Sequence, residues 1–238
     1  MEEKQNGIVL GGVNYSESDK ILNIFTLEKG VIGAKIKGVK KANAKLKFAS
    51  EPFCFAEFVF SKNGDKRTVI GASLIDSFYP VRENIEKYFC ASTVVEFIKH
   101  FYQQEMVDEK EFVLAINALK EIAYTENHLS ALVKFLIFAL KNFGYSLELS
   151  GCFNCQTDIN GRTFFDYRNG AFLCEDCIEE GCREINGITL IALQKAEKGE
   201  LDDNHQGTKK ALKLLEYYIL NRAEENLNSL SELNKICL

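Results

Sequence analysis

Two cysteine pairs constrain the folding of this chain more than any other feature of its sequence. Cys152-Phe153-Asn154-Cys155 is followed, after eighteen intervening residues, by Cys174-Glu175-Asp176-Cys177. This spacing is typical of a four-cysteine zinc ribbon, in which two short turns each supply two thiolates to one tetrahedral ion. Because protein then fills all four coordination positions, the predicted zinc ion is structural and activates no water. The predicted metal ligands are Cys152, Cys155, Cys174 and Cys177.

The segment between the two pairs has the pattern of a β-hairpin. Apolar and aromatic residues occupy 163–167 and 171–173, and Asn169-Gly170 between them is a signal for a tight turn. Such a hairpin brings the two cysteine pairs together, so we predict a zinc ribbon at residues 151–183. This segment contains three arginines and six acidic residues, which predicts poor binding of phosphate.

Other uses of the cysteines fit the sequence less well. The polar amino terminus does not resemble a secretory signal, which argues against a disulfide framework, and a redox motif needs only one pair within a βαβ pattern. Cys182 is a fifth nearby thiol and an alternative to Cys177 as a ligand. The remaining three cysteines are predicted to be free, buried thiols: Cys54, Cys90 and Cys237.

The first eighty residues alternate between apolar and polar side chains, as β-strands do. Strands are predicted at 8–13, 20–27, 31–39, 53–60 and 67–78, and Gly11-Gly12 indicates a bulge in the first of them. Five short strands with one longer connection at 40–50 predict a five-stranded barrel of the OB type at residues 1–80. An SH3-like barrel or a plain sheet has a similar pattern.

From residue 81 onward the apolar residues recur with the period of a helix. One stripe contains Ile85, Tyr88, Ala91, Val95, Ile98 and Tyr102, and residues 129–143 are apolar on nearly all sides, which predicts a buried helix. We therefore predict an α+β protein with an OB-type barrel domain at 1–80 and a helical domain at 81–238, into which the zinc ribbon is inserted. Since the longest apolar stretch is far shorter than the roughly 20 residues of a membrane span, no membrane association and a cytoplasmic location are expected.

The net charge of −5 conceals an asymmetry along the chain. Residues 1–80 contain twelve Lys/Arg and nine Asp/Glu, and seven lysines lie between Lys29 and Lys47 with no acidic residue among them. Lys35 and Lys37 fall on the opposite strand face from Ile32, because side chains alternate with period two. The lysines predict a positive surface that follows a phosphate backbone, although a solvated face is an alternative. The predicted contacts are Lys35, Lys37, Lys40, Lys41, Lys45 and Lys47.

Aromatic residues of the barrel are candidates for stacking on nucleobases if they are exposed, and core residues otherwise. These are Phe25, Phe53, Phe55 and Phe58. Signatures of catalysis are absent from the sequence: it has no Walker loop, no Gly-x-Gly-x-x-Gly, no His-Glu-x-x-His and no Gly-x-Ser-x-Gly. The three histidines, at positions 100, 128 and 205, have no partner motif. We therefore predict that the protein is not an enzyme.

Short motifs occur along the chain in an order that is distinctive as a set. They are Ser-Glu-Ser-Asp-Lys-Ile-Leu at 16–22, Phe-Thr-Leu-Glu-Lys-Gly at 25–30, Lys-Gly-Val-Lys-Lys at 37–41, Glu-Pro-Phe at 51–53, Leu-Glu-Leu at 147–149, and the cysteine pairs with the segment 165–170. In this order and spacing the chain resembles, over nearly its full length, the RecO family of bacterial recombination mediator proteins. Gln156 departs from the family pattern, in which a glycine follows the second cysteine.

The resemblance implies an OB-fold amino-terminal domain, a helical carboxy-terminal domain with the zinc motif, and no enzymatic turnover. It also implies binding of single- and double-stranded DNA, annealing of complementary strands and, with RecR, loading of RecA onto strands coated by single-strand-binding protein. Family members recognise the acidic tail of single-strand-binding protein through the helical domain. A DNA repair and recombination protein of the bacterial cytoplasm, at the nucleoid during repair, is therefore expected.

Two other functions compete with this interpretation. In the first, the protein is a zinc-ribbon adaptor that binds protein partners without binding DNA, and its lysines serve only solvation. In the second, it is a thiol-dependent enzyme with Cys152 or Cys182 as nucleophile, which a metal-bound and unreactive thiol would exclude.

Overall fold

The structure is a computed structural model that describes residues 2–102 and 106–237. The chain divides into two compact units. The barrel unit comprises Met1–Pro80 and Val95–Ile116, and the helical unit comprises Val81–Val94 and Asn117–Leu238. No helix among the described residues is long and apolar enough to cross a membrane.

Five strands close into a barrel in the order β1-β2-β3-β5-β4. All neighbouring pairs are antiparallel except β3 with β5, and β1 closes the barrel by pairing with β4. A closed five-stranded barrel of this kind is the OB type, so the predicted barrel is confirmed and a plain sheet is excluded. The strands are β1 (Glu2–Asn14), β2 (Lys20–Thr26), β3 (Gly30–Ile36), β4 (Phe55–Asn63) and β5 (Lys66–Asp76).

Strand β1 differs most from the prediction, because it begins at Glu2 rather than at Ile8. Its first half pairs with β4, from Glu2 opposite Ser61 to Ile8 opposite Phe55. Its second half pairs with β2, and the register shifts between Val9 and Gly11, which confirms the predicted bulge. Gly11 has a φ of 138°, a conformation that glycine adopts without strain. The bulge lets one strand serve both neighbours.

The barrel core forms from alternate residues of the strands. On β3, Ile32, Ala34 and Ile36 are at most 1% exposed, as the alternation of that strand predicts. The rings of Phe58 and Phe60 on β4 stack inside the same core with centroids 5.9 Å apart. Since the inward positions are occupied by these side chains, the outward positions of β3 are left for charged residues.

Within the residues that the structure describes, six α-helices make up most of the rest of the chain. They are α1 (Ile85–Phe101), α2 (Glu109–Tyr124), α3 (His128–Asn142), α4 (Gly187–Glu197), α5 (His205–Tyr218) and α6 (Asn228–Ile236). Helix α3 is buried along most of its length, as its apolar sequence predicts. Helices α1 and α2 each contribute residues to both compact units.

The first turn of α1 faces a different way from the predicted stripe. Ile85 and Tyr88, which the pattern placed inside, are 58% and 42% exposed. Lys87 takes the inward position instead, and its Nζ donates a hydrogen bond of 3.1 Å to the carbonyl of Ala123 at the end of α2. A cation is favourable at the carboxyl end of a helix, where the last carbonyls have no partner within the helix. The apolar pattern missed this position because a lysine with a buried stem counts as polar.

The predicted zinc ribbon is a three-stranded sheet inserted between α3 and α4. Its strands are β6 (Thr163–Asp166), β7 (Ala171–Cys174) and β8 (Arg183–Ile185), in the order β7-β6-β8. The β6–β7 connection ends at Gly170, which has a φ of 64°. A Cβ atom on Gly170 would lie 2.6 Å from the Tyr218 hydroxyl oxygen of α5, so only glycine fits this close approach. The tight hairpin is thus confirmed, and it packs on α5.

Candidate metal centre and nucleic-acid interface

The two cysteine pairs meet at one end of the ribbon. The sulfur atoms of Cys152, Cys155, Cys174 and Cys177 all lie within 4.8 Å of one another. Cys155 Sγ is 3.8 Å from Cys174 Sγ. Because a Zn–S bond is about 2.3 Å, tetrahedral coordination needs sulfur atoms about 3.8 Å apart. The four cysteines therefore have the donor type and the spacing of a metal site.

The environment of the sulfur atoms favours thiolate at part of the cluster. Burial raises the pKa of the Cys152 thiol, but hydrogen bonds from the backbone amides of Cys155 and Cys174 outweigh it and bring that pKa to about 6. A hydrogen bond with the Thr157 hydroxyl lowers the pKa of Cys155. A hydrogen bond with Cys174 raises the pKa of Cys177 to about 12. Thiolate is the form that binds a metal, so Cys152 is prepared for this role.

Cys182 lies near the cluster without belonging to it. It is partly buried and packs beside the small apolar core of Cys152, Phe164 and Leu173. The four sulfur atoms that meet include Cys177 and not Cys182. The geometry therefore favours Cys177 over Cys182 as the fourth ligand.

The lysines of the barrel unit are exposed on the connection between β3 and β4. No acidic side chain within the described part of the chain forms an ion pair with any of five lysines: Lys37, Lys40, Lys41, Lys45 and Lys47. Lys35 differs from them, because its Nζ lies 2.9 Å from Asp19 Oδ2 and 4.5 Å from the ring centroid of Tyr15. Five of the six predicted contacts thus present free positive charge, and the sixth is engaged.

The backbone that carries these lysines is held in place. Hydrogen bonds from Lys41 N to Gly38 O, from Ala44 N to Lys41 O and from Lys47 N to Ala44 O form consecutive tight turns. Val39 and Ala49 are buried in the barrel core, and Leu46 and Phe48 pack against it. The connection is therefore anchored by its apolar residues, while its lysines point to solvent.

Asp19, in the turn between β1 and β2, fastens the start of this connection. Its Oδ1 accepts a hydrogen bond of 2.9 Å from Gly38 N, and its Oδ2 pairs with Lys35. Beside it, Ser18 O accepts a hydrogen bond of 3.1 Å from Lys40 N. Asp19 thereby links the start of β2 to the end of β3, and both of these ends lie next to the lysines.

We predict a pH dependence of stability from this contact. The Gly38 amide, with the Lys35 ammonium, holds the pKa of Asp19 well below its ordinary value of 3.8. A carboxyl group whose pKa is depressed in the folded state stabilises the fold fully above about pH 4–5, and this contribution is lost as the pH falls further. Urea unfolding is measured between about pH 6 and pH 3, a range that spans the ordinary pKa of an aspartate in the unfolded state. As the pH falls, the wild type should lose stability more steeply than Asp19→Asn. Parallel curves for the two proteins would contradict this role of Asp19.

Three of the four aromatic candidates for base stacking belong to the core. Phe25, Phe53 and Phe58 are at most 3% exposed, so stacking on bases is wrong for them and the core interpretation is right. Phe55 is partly buried, and its ring packs against Phe112 at 6.0 Å. The sequence identified the aromatic residues but did not determine which of them lie on the strand face that points into the core.

We predict that Phe58→Leu separates stability from binding. The substitution leaves a cavity in the barrel core and removes the ring contact with Phe60, so the free energy of unfolding should fall by about 1–2 kcal/mol. Affinity for single-stranded DNA should change less than about twofold, because a buried ring does not contact a base. If Phe58 did stack on a base, its loss would cost about 1–3 kcal/mol of binding free energy. Urea unfolding and fluorescence titration on one preparation measure both quantities. A large loss of affinity at unchanged stability would contradict the core assignment.

Comparison with known proteins agrees with this architecture. A family model described as Recombination protein O N terminal matches residues 1–78, and one described as Recombination protein O C terminal matches residues 82–231. The chain belongs to the RecO family. A protein named DNA repair protein RecO from Caldicellulosiruptor saccharolyticus is 33% identical over 221 residues, which cover 88% of this chain and 89% of that protein.

Further relatives with the same name extend the match to nearly the full length. The protein from Acetivibrio thermocellus is 29% identical, covering 74% of this chain and 70% of its own length. The protein from Alkaliphilus metalliredigens is 26% identical, covering 98% of this chain and 99% of its own. The resemblance to RecO is thereby confirmed, and the barrel is the OB-fold domain of a DNA repair and recombination family.

Gln156, at which this RecO family member departs from the glycine of the family pattern, lies in a turn with left-handed backbone geometry. Gln156 adopts a φ of 60°, in the left-handed region that glycine occupies most readily. Its backbone N–H donates to Cys152 O at 2.8 Å, which closes the turn around the first cysteine pair. The turn needed at a metal site is thus formed with glutamine at a position that favours glycine.

Two residues of the candidate interface were missed by the sequence analysis. Asp19 was noticed only as part of the Ser-Glu-Ser-Asp motif, although a short polar cluster between two strands is a signal for a hydrogen-bonding turn. Tyr15, which is 59% exposed and lies under Lys35, gave no signal beyond its place at the end of a strand.

Proposed function

We propose that this RecO family member is a non-enzymatic recombination mediator that binds single- and double-stranded DNA through its barrel unit. The proposed contacts are Lys35, Lys37, Lys40, Lys41, Lys45 and Lys47. The single observation that carries the proposal is the anchored β3–β4 connection, on which five lysines are exposed without an acidic partner in the described structure. Such a surface neutralises phosphates and releases their counterions.

This surface suits a protein that acts on any sequence. Contacts to phosphate position a nucleic acid without reading its bases, and the buried phenylalanines offer no platform for base recognition. Annealing requires that the repulsion between two polyanionic strands be reduced, and lysines can do this without a catalytic group. By its family membership, we propose that the protein works with RecR to load RecA onto strands coated by single-strand-binding protein, in the bacterial cytoplasm at the nucleoid.

The metal in this proposal is a structural zinc ion held by the four clustered cysteines. When bound, it supplies no chemistry to a substrate and links the two turns of the ribbon through four thiolates. We also propose a boundary between a DNA-binding domain at residues 1–80 and a helical domain at 81–238. The first segment of the barrel unit ends at Pro80, which supports that boundary.

The proposal is tested by titrating labelled single-stranded DNA with the full-length protein across a salt series, with zinc content determined on the same preparation. We expect binding that does not depend on base sequence and weakens steeply with salt, by about 0.7 in log–log slope per phosphate contact. We also expect one zinc ion per chain. Stoichiometric zinc without DNA binding at low salt would refute the proposal and favour a protein-binding adaptor.

A further inference from the structure

A cleft of about 400 Å³ lies in the helical unit, where the ribbon meets α4 and α5. Two neighbouring cavities of similar volume share Tyr167 and Arg168 with each other, and one of them shares Arg183 and Tyr217 with the cleft. Together they form a groove rather than an isolated hole. We call the first cavity the ribbon cleft, defined by Tyr167, Arg183, Thr189, Lys210, Lys213 and Tyr217.

The ribbon cleft is locally positive although its surroundings are acidic. Arg183, Lys210 and Lys213 line it, and none of them forms an ion pair with an acidic side chain in residues 106–237. The two acidic residues of its lining are engaged elsewhere. Glu184 is neutralised by Arg162, which donates two hydrogen bonds to it. Glu216 keeps its charge, but its carboxylate accepts hydrogen bonds from Ser231 and Asn234 of α6, so three cations face one unneutralised carboxylate in the cleft lining. The net negative charge of the segment 151–183 therefore does not extend to the lining of the cleft.

A planar cation forms one wall of the ribbon cleft. The Arg183 guanidinium lies 4.4 Å from the ring centroid of Tyr217 and donates to the Tyr217 hydroxyl at 3.0 Å. Tyr167 packs edge-on against Tyr217 at 4.5 Å, which fixes the orientation of that ring. Arg183 is exposed, so this wall offers a flat surface of the kind on which nucleobases stack.

A buried hydroxyl group at the base of the cleft lacks a partner. Thr189 is 0% exposed, lines the cleft, and its Oγ1 has no hydrogen-bond partner among residues 2–102 and 106–237. It lies in the first turn of α4, whose N-cap Asn186 also lines the cleft. The amino end of a helix favours an anion, and an unsatisfied buried hydroxyl is costly. Both features indicate a ligand with a negatively charged acceptor.

We infer that the ribbon cleft is a second nucleic-acid site, which takes a nucleotide of single-stranded DNA. The phosphate lies between Lys210, Lys213 and the Thr189 hydroxyl, and the base stacks on Arg183. Arg222 lines the continuation of the groove, where it meets the phosphate of a neighbouring nucleotide, whereas Arg168 there is paired with Asp166 at 3.5 Å. The groove therefore favours a strand with several phosphates over a small anion. This inference rests on the proposed function, since it assumes that the protein binds single strands.

The charge is tested with Lys210→Glu/Lys213→Glu in the zinc-loaded, full-length protein. Loss of two phosphate contacts should lower affinity for labelled oligothymidine about 20-fold near 0.1 M salt and reduce the log–log slope by about 1.4. Lys120→Glu/Lys141→Glu is the matched control, because both lysines are exposed in the helical unit away from the cleft lining. Equal losses for the two double variants would overturn the inference.

The hydroxyl is tested with Thr189→Val, which preserves the shape of the side chain. If Oγ1 binds the nucleic acid, affinity should fall about three- to tenfold while the melting temperature stays equal or rises, because a buried unsatisfied group is removed. A purely structural hydroxyl would leave affinity unchanged, and this result would overturn the assigned role of Thr189.

A Lys37→Glu/Lys40→Glu/Lys41→Glu variant separates this site from the barrel site. If only this barrel variant loses affinity, the cleft inference fails and the proposed function stands. If only the cleft variant loses affinity, the barrel site fails and the cleft stands.

A labelled acidic peptide ending in an apolar residue completes the test. Cleft-dependent binding of this peptide, with DNA affinity unaffected by the cleft variant, would replace the nucleic acid by a protein partner.

Discussion

Charge reversal of Lys37, Lys40 and Lys41 to glutamate is expected to lower affinity for single-stranded DNA about 100-fold near 0.1 M salt. Each phosphate contact contributes about 0.7 to the log–log salt slope on single strands, so three lost contacts reduce the slope by about 2. The three lysines are exposed and form no ion pair among the described residues, and only Lys40 has a side-chain hydrogen bond there, from its Nζ to Ser16 O at 3.5 Å. Fluorescence anisotropy over a salt series measures both the affinity and the slope.

A matched variant distinguishes local contact from net charge. Lys120→Glu/Lys141→Glu/Lys198→Glu changes the net charge equally at three exposed positions of the helical unit. We expect this control to keep affinity within about threefold, because screening limits the reach of surface charges to about 10 Å at 0.1 M salt. If both triple variants lose affinity alike, or if the salt slope of the barrel variant is unchanged, the lysines of the β3–β4 connection are not the contact surface.

Replacing one ligand of the cysteine cluster is expected to unfold the ribbon. Cys174→Ser should abolish stoichiometric zinc binding and lower the free energy of unfolding by at least about 4 kcal/mol, because loss of a structural metal is among the largest single effects. The ribbon has only three short strands, and the apolar core beside its cysteines contains few residues. Metal analysis, urea unfolding and limited proteolysis between residues 151 and 185 measure the three consequences.

Cys182→Ser is the control for that substitution. It removes a thiol from the same region that lies outside the four clustered sulfur atoms. We therefore expect full zinc content and stability within about 1 kcal/mol of the wild type. If zinc is lost from Cys182→Ser and kept by Cys177→Ser, the ligand set contains Cys182 instead of Cys177. Unchanged zinc content in Cys174→Ser would refute the cluster as the metal site.

Features set by local patterns were predictable from the sequence. The spacing of the cysteine pairs and the Asn169-Gly170 turn were sufficient to predict the ribbon, because a hairpin depends on neighbouring residues. The alternation in β3 likewise placed Ile32 inside, and Lys37, directly after the end of that strand, is exposed as the same alternation predicted. In each case a short segment determines its own geometry.

Features that depend on distant segments were not predictable. The first half of β1 is polar, and only its pairing with β4 makes it a strand. Lys87 is inward because the carbonyl of Ala123, thirty-six residues later, accepts its hydrogen bond. The ribbon cleft assembles residues from 167 to 217, so its positive charge arises from how acids and bases are paired in space. A sum of charges along the sequence does not show which acidic and basic side chains pair in the folded protein.

The long strand β1 also has a consequence for the order of folding. Residues 2–6 pair in the barrel only with residues 57–61 of β4, whereas β2 and β3 form a hairpin with each other. Contacts distant in sequence form slowly, since the entropy of closing the intervening loop must be overcome first. During synthesis the backbone hydrogen-bonding groups of this segment are therefore expected to stay unpaired until β4 has left the ribosome. Barrel closure is expected to be the late step of folding, and the exposed edge is where a nascent chain would aggregate.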